Sequence, residues 1–288
     1  MKQKSFFMLA TVQIVALFFF CSKENPVSPP YTQTGQEALL IVVENNNLLE
    51  SSMETGYTYY QKEMKTIFAD VFEIKPDDIP DSLSLDEVID QFGEDWQIRA
   101  LTEAAKPFYS KIVALTDEAA TGNAVLDSLT TMCSDGYTVD MIFNLHGGWD
   151  LFSGETSILF ADRSYNLDAF TDSIKSRSAC PRALYQTCCY GSFMIEAWER
   201  LGITAVNGAS DANSLVMFSP IYFLQNWTGA MTFSQAVQTA FNQEYRKIES
   251  YSKILEEITM LLDEELLAGS IQETGGTDTM LLWRNFGL

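Results

Sequence analysis

Four short, largely apolar runs recur along the chain: ALLIVV at 38–43, VDMIFNL at 139–145, RALYQT at 182–187 and ITAV at 203–206. Each is too short to be a buried helix. Each is apolar on consecutive residues rather than alternate ones, which suits a strand covered on both faces. Such strands need helices on both sides, and the intervening segments supply them. A helix is expected over 51–67. The capping box of Ser84 and Glu87 opens a helical region to about residue 115. A third helix is expected over 123–133, stopped near Gly136, and a fourth over 167–177, capped by Asn166. The segment 191–201 carries an apolar stripe of Phe193, Met194, Ala197, Trp198 and Leu201, with Gly202 as its stop. Thr232 and Gln235 open a long amphipathic helix to about residue 267, and a last short strand is expected over 280–283. Strands alternating with helices predict an α/β/α sandwich around a mostly parallel sheet.

Charge narrows the partners. Among 288 residues, 39 are Asp or Glu and 18 are Lys or Arg, a formal net charge of −21. No basic stripe is present to neutralise phosphates, so nucleic acid is excluded as a partner. The chain holds a single histidine, His146, which excludes a multi-histidine metal site. No metal and no cofactor is expected. The acidic loop at 77–81 fits no calcium-loop spacing and reads as a solvated turn. The sequence Asn226-Trp-Thr228 matches a glycosylation acceptor and carries no further weight.

The first residues have their own logic. Lys2 and Lys4 precede an apolar run over 5–20, then Cys21, then a polar stretch with three prolines. A basic segment, an apolar segment and a cysteine before a tether resemble the export signal of bacterial lipoproteins. That resemblance implies lipidation at Cys21 and a protein held by a lipid anchor in the bacterial cell envelope. The expected organisation is an export signal over 1–21, a flexible tether over 22–36, and one α/β domain over 37–288.

Chemistry gathers at two strand ends, since open parallel sheets form sites at the carboxyl edge. His146 ends one strand and Cys188 the next. One crossover helix separates them, so adjacent parallel strands can present both. A histidine beside a thiol takes its proton, and the thiolate attacks. The helix expected from Gly191 points its positive end at the thiol. Gly147 and Gly148 leave backbone N–H groups unshielded, as an oxyanion hole requires. A turn histidine and a buried small thiol are each commonplace alone; the pairing is what speaks for a site.

The strand-His-Gly-Gly run (MIFNLHGGW) followed by strand-Cys-x-x-Gly-Ser (ALYQTCCYGSF) resembles the caspase-like, clan CD cysteine peptidases, and within them the clostripain, gingipain and legumain type. The resemblance covers about residues 140–210. It implies a caspase-like domain that cleaves peptide bonds through a thioester, with His146 as the proton-transfer group and Cys188 as the nucleophile. The N–H groups of Gly147 and Cys188 become the oxyanion donors. Gln186 stands where clostripain-like enzymes carry an aspartate, so no strong preference for a basic P1 residue is expected. Asp211, in the segment that would line the substrate groove, is the other substrate-binding candidate. The doubled Cys188-Cys189 leaves a one-residue ambiguity in the nucleophile. Two other classes remain open: a catalytically silent binding or scaffold lipoprotein, and a Cys-His hydrolase or acyltransferase acting on a non-peptide ester.

Overall fold

The strand β1 (Glu37–Glu44) shows why the ALLIVV run is two-faced. Ala38, Leu40 and Val42 enter one apolar cluster, and Leu39, Ile41 and Val43 enter another on the opposite side. The computed structural model describes residues 36–44, 61–179, 181–213, 216–252 and 269–277, all within one unit over 33–288. There β1 pairs in parallel with β2 (Lys111–Thr116) and β3 (Thr138–Trp149). In turn β3 pairs in parallel with β6 (Ala183–Gln186), and β6 with β7 (Ala205–Ala209). β8 (Gln272–Gly276) closes the edge antiparallel to β7, giving the order β2-β1-β3-β6-β7-β8. The short strands β4 (Thr156–Leu159) and β5 (Ser164–Asn166) form an antiparallel offshoot on the far end of β3.

Helices cover both faces. On one side lie α3 (Gly122–Ser134), α4 (Leu167–Ser176) and α5 (Ile195–Leu201), which contribute Leu129, Phe170 and Trp198 to the first cluster. On the other lie α2 (Asp95–Ala105), α6 (Ser219–Thr228) and α7 (Phe233–Ser252), with Leu101, Leu224 and Phe233. Each large side chain so buried stabilises the fold by roughly 1.5–3 kcal/mol before the entropy of ordering it is counted. α1 (Gln61–Phe72) belongs to a third, smaller cluster through Phe68 and Phe72. The α/β/α sandwich around a mostly parallel sheet is therefore observed.

The local signals hold where they rest on hydrogen bonds. Glu87 N–H donates to Ser84 Oγ at 3.2 Å, and Ser84 N–H to Glu87 Oε2 at 2.8 Å. Thr232 and Gln235 exchange the same reciprocal pair. Asn166 Oδ1 accepts from Ala169 N–H at 3.1 Å, and Gly202 ends α5 with φ of 100°.

Three readings change. The helical region expected to about 115 ends at Ala105, and Lys111–Thr116 is a strand. Pro107 has no N–H to carry the ladder past Lys106, and the half-exposed KIVALT then pairs on the edge of β1. α6 and the β4–β5 hairpin were not expected. The 51–67 helix is described from Gln61 and runs on to Phe72. Residues 51–60, the end of the long helix after 252 and the strand at 280–283 lie outside the described residues. So do 1–35, including Cys21.

Where the two central strands begin, an ion pair on the buried Asp140 fastens β3 to the segment leading into β6. Arg182 Nε and Nη2 donate to the two oxygens of Asp140, and Tyr109 Oη donates to Asp140 Oδ2 at 3.0 Å. Burial alone would depress the Arg182 cation, but the carboxylate beside it outweighs that and holds it charged. Burial, with the same carboxylate, pushes the Tyr109 phenol well up, so it stays a donor.

Candidate active site

The site begins where β3 changes partners. Up to Leu145, β3 runs beside β1; from His146 to Trp149 it pairs antiparallel with β4 instead, His146 opposite Leu159. His146 is therefore the first residue past the main sheet, held on both sides of the junction. Beside it, β6 pairs with β3 through Phe143–Gln186, and Thr187 N–H donates to Phe143 O at 2.9 Å to extend the ladder.

Register and alternation sort the side chains. In a parallel pair, level residues share a face. Met141, Phe143 and Leu145 join the first cluster together with Leu184 and Cys188. The opposite face carries Ile142 with Tyr185, then Asn144 with Thr187, whose Oγ1 donates to Asn144 Oδ1 at 2.6 Å. Counting on at that register, His146 is level with Cys189, which stands in the turn that follows β6.

Cys188, the expected nucleophile, has 0% exposure and lies in the apolar core with Met194 and Trp198. Burial pushes its thiol far up. Cys189 is partly exposed. Its thiol is also raised, by burial first and by the Asp211 charge; a hydrogen bond from Asn213 N–H to its Sγ at 3.3 Å works the other way. Of the two adjacent thiols, Cys188 is thus the core residue and Cys189 the partly exposed one.

The close approach of the strands depends on glycine. A Cβ on Gly147 would sit 2.4 Å from Cys189 O and 2.8 Å from Cys188 Cβ. Behind the cysteines, a Cβ on Gly208 would lie 2.0 Å from Gly191 C and 2.2 Å from its O. These are backbone atoms that have nowhere to go. Gly208→Ala is expected to destabilise the domain by about 1–3 kcal/mol and to shift the 188–192 turn. A lower urea midpoint together with altered labelling of Cys189 checks it; an unchanged midpoint would contradict it.

Gln186 is not on the substrate surface, which corrects its expected role. It is fully buried, and its Nε2 donates to Asn207 O at 2.9 Å and, more weakly, to Gly191 O. Asn207 in turn donates to Gln186 O and to Gln272 Oε1, so these amides tie β6, β7 and β8 together under the turn. Asp211 is exposed. Its backbone carbonyl accepts from Tyr190 N–H at 2.8 Å, and its carboxylate, after burial, helps to raise the Tyr190 phenol.

A wall that the sequence did not announce stands opposite Cys189. Asn213 Nδ2 donates to Thr187 O at 2.9 Å. Gln97 of α2 donates to Val216 O and Met217 O and accepts from Asn144 Nδ2. Glu244 of α7, fully buried, accepts from the N–H groups of Met217, Phe218 and Ser219, capping α6 from a distance. Burial raises its carboxyl despite those three donors. These partners lie far apart in sequence, and no local motif marks them.

As for metals, Asp90, Glu94 and Asp117 bring oxygens within 4.8 Å of one another beyond the end of β2; acidic groups so placed name no ion by themselves. In the acidic loop, Asp77 and Asp78 are exposed and Asp81 pairs with Lys65, as a solvated turn would have it. Among the described residues no helix is long and apolar enough to cross a membrane.

What the architecture defines is an α/β/α domain with a histidine and a thiol at the ends of adjacent parallel strands. No family model matches the sequence, and no curated protein does. Among solved structures, the Drosophila initiator caspase Dronc is similar over 77% of this chain and 78% of that chain, with 9% identity and a TM-score of 0.37. At that level of likeness the fold rests on the sheet topology itself.

Proposed function

We propose that the domain is a caspase-like cysteine endopeptidase with Cys189 as nucleophile and His146 as general base and acid. The observation that supports it is exposure: Cys189 alone of the adjacent cysteines reaches the surface, and counting on from the Phe143–Gln186 pair puts it level with His146. Because burial keeps the Cys189 thiol protonated at neutral pH, proton removal belongs to the attack itself. Sγ bonds to the peptide carbonyl carbon as its proton passes to His146. The N–H groups of Gly147 and, one residue on from the sequence expectation, Cys189 hold the oxyanion. The C–N bond then breaks as His146 returns the proton to the leaving amine. Water adds to the thioester, giving its proton to His146, and the acid and free thiol are released. Asp211 remains the proposed substrate-binding carboxylate.

Limiting iodoacetamide followed by peptide mapping tests the assignment. Label on Cys189 well ahead of Cys188, slowed when His146 is replaced, is expected. Preferential label on Cys188 would overturn the register argument.

The proposal extends to location: an exported protein anchored by lipid at Cys21, supported by the order of basic segment, apolar segment, cysteine and tether. The full chain should partition into detergent, and Cys21→Ser should leave unprocessed precursor. A freely soluble mature protein starting at another residue would refute it.

A further inference from the structure

The strand that carries His146 does not stop at the site; it runs on into a surface unusual for a water-facing strand end. Trp149 lies flat on Phe193, with ring centroids 4.5 Å apart and planes within 7°. Tyr190, next to Cys189 in the chain, has its ring 6.2 Å from Trp149. Phe193 is 48% exposed, and beyond Trp149 the turn lifts Leu151 and Phe152 into solvent at 71% and 99%. That turn is well hydrogen-bonded. Asp150 Oδ1 accepts from the N–H groups of Phe152 and Ser153, and Asp150 O accepts from Gly154 N–H. Tyr190 holds φ of 56°, the left-handed region that an aromatic residue enters only when its surroundings require it. Large apolar side chains held out on an ordered frame mark a surface that something else covers.

We infer that Trp149, Tyr190 and Phe193 form a recognition shelf for a large apolar side chain of the peptide substrate, beside the scissile bond. The inference rests on the peptidase reading and adds the substrate class to it. Three features select a peptide as the occupant. The shelf is continuous with the thiol's own turn, since Tyr190 follows Cys189 directly. Tyr190 N–H donates to Asp211 O at 2.8 Å, and Asp211 is exposed, so the apolar floor ends in an acidic rim. That rim, on a chain of net charge −21, repels an anionic lipid surface. An aromatic or long aliphatic side chain laid on stacked rings gains both burial and ring contact.

The test is a peptide-library profile of the full chain and of two variants, Phe193→Ser and Trp149→Ala, with far-UV circular dichroism to confirm folding. The wild type should cleave peptides that carry Phe, Tyr, Trp, Leu or Met at one fixed position near the bond. Phe193→Ser should reduce the ratio of kcat/KM between such peptides and their Ser-substituted counterparts by roughly tenfold, mainly through KM. Trp149→Ala should do the same; Phe193 lies outside β3, so it keeps the test alive if the tryptophan variant misfolds. Cleavage with no apolar position, or with a preference unchanged in Phe193→Ser, overturns the shelf alone. No cleavage of any peptide overturns the peptidase reading and the shelf with it. Binding to phosphatidylglycerol vesicles that Phe193→Ser abolishes, without any effect on peptide choice, assigns the surface to lipid and rejects the inference.

Discussion

Alanine at Cys189 is expected to abolish peptide turnover, and alanine at Cys188 to leave most of it. Removing a nucleophile typically costs about four orders of magnitude or more in rate, and removing its histidine partner a similar amount, so His146→Ala should match Cys189→Ala. Cys188→Ala instead removes one buried sulfur from the cluster around Met194 and Trp198, which costs roughly 1 kcal/mol of stability and nothing in chemistry. The pair of variants is informative because the two thiols are neighbours in sequence yet only Cys188 is buried in the core. Activity surviving in Cys189→Ala but lost in Cys188→Ala would reinstate the sequence-based register. Activity surviving in both would dismiss thiol catalysis.

The second large effect is on stability. Arg182→Met should lower the unfolding free energy by about 3–5 kcal/mol, because it strands the fully buried Asp140 carboxylate with only the Tyr109 hydroxyl for company. Replacing both partners, Arg182→Met with Asp140→Leu, should recover much of that loss, since no charge is then left to desolvate. Urea titration with an unchanged slope and a shifted midpoint is the expected signature in the single variant. A single variant as stable as the wild type would show that water reaches Asp140 after all.

Much of this was legible in the residues. β1, β3, β6 and β7 declare themselves through runs that are apolar on both faces, α3, α4 and α5 through caps and stops within a few residues of their ends, and α7 through the box at its start. The illegible parts share a physical cause. β8 reads QETGG, with no apolar signal; it is a strand because β7 offers it a partner. α6 hides in an aromatic stretch whose start is capped by Glu244, 25 residues on from Ser219. At the site, sequence located the two strand ends but could not say which of the two adjacent cysteines the core takes. The motif spacing Cys-x-x-Gly favoured Cys188, which the fold buries beside Met194 and Trp198, and that burial depends on packing between distant elements. Gln186 was misplaced for a related reason: a position beside the cysteines in sequence lies under their turn in space.

β3 spans twelve residues from Thr138 to Trp149 without a break. Extended backbone of that length covers about 40 Å, most of the width of a domain this size. Its root is clamped by the Asp140 ion pair, its middle is flanked by β1 and β6, and its tip carries the aromatic rings. Mechanically it is a spliced beam: β1 supports it up to Leu145 and β4 from His146 on, with the one histidine at the splice. The backbone of that histidine is therefore fixed from both sides rather than hung on a loop.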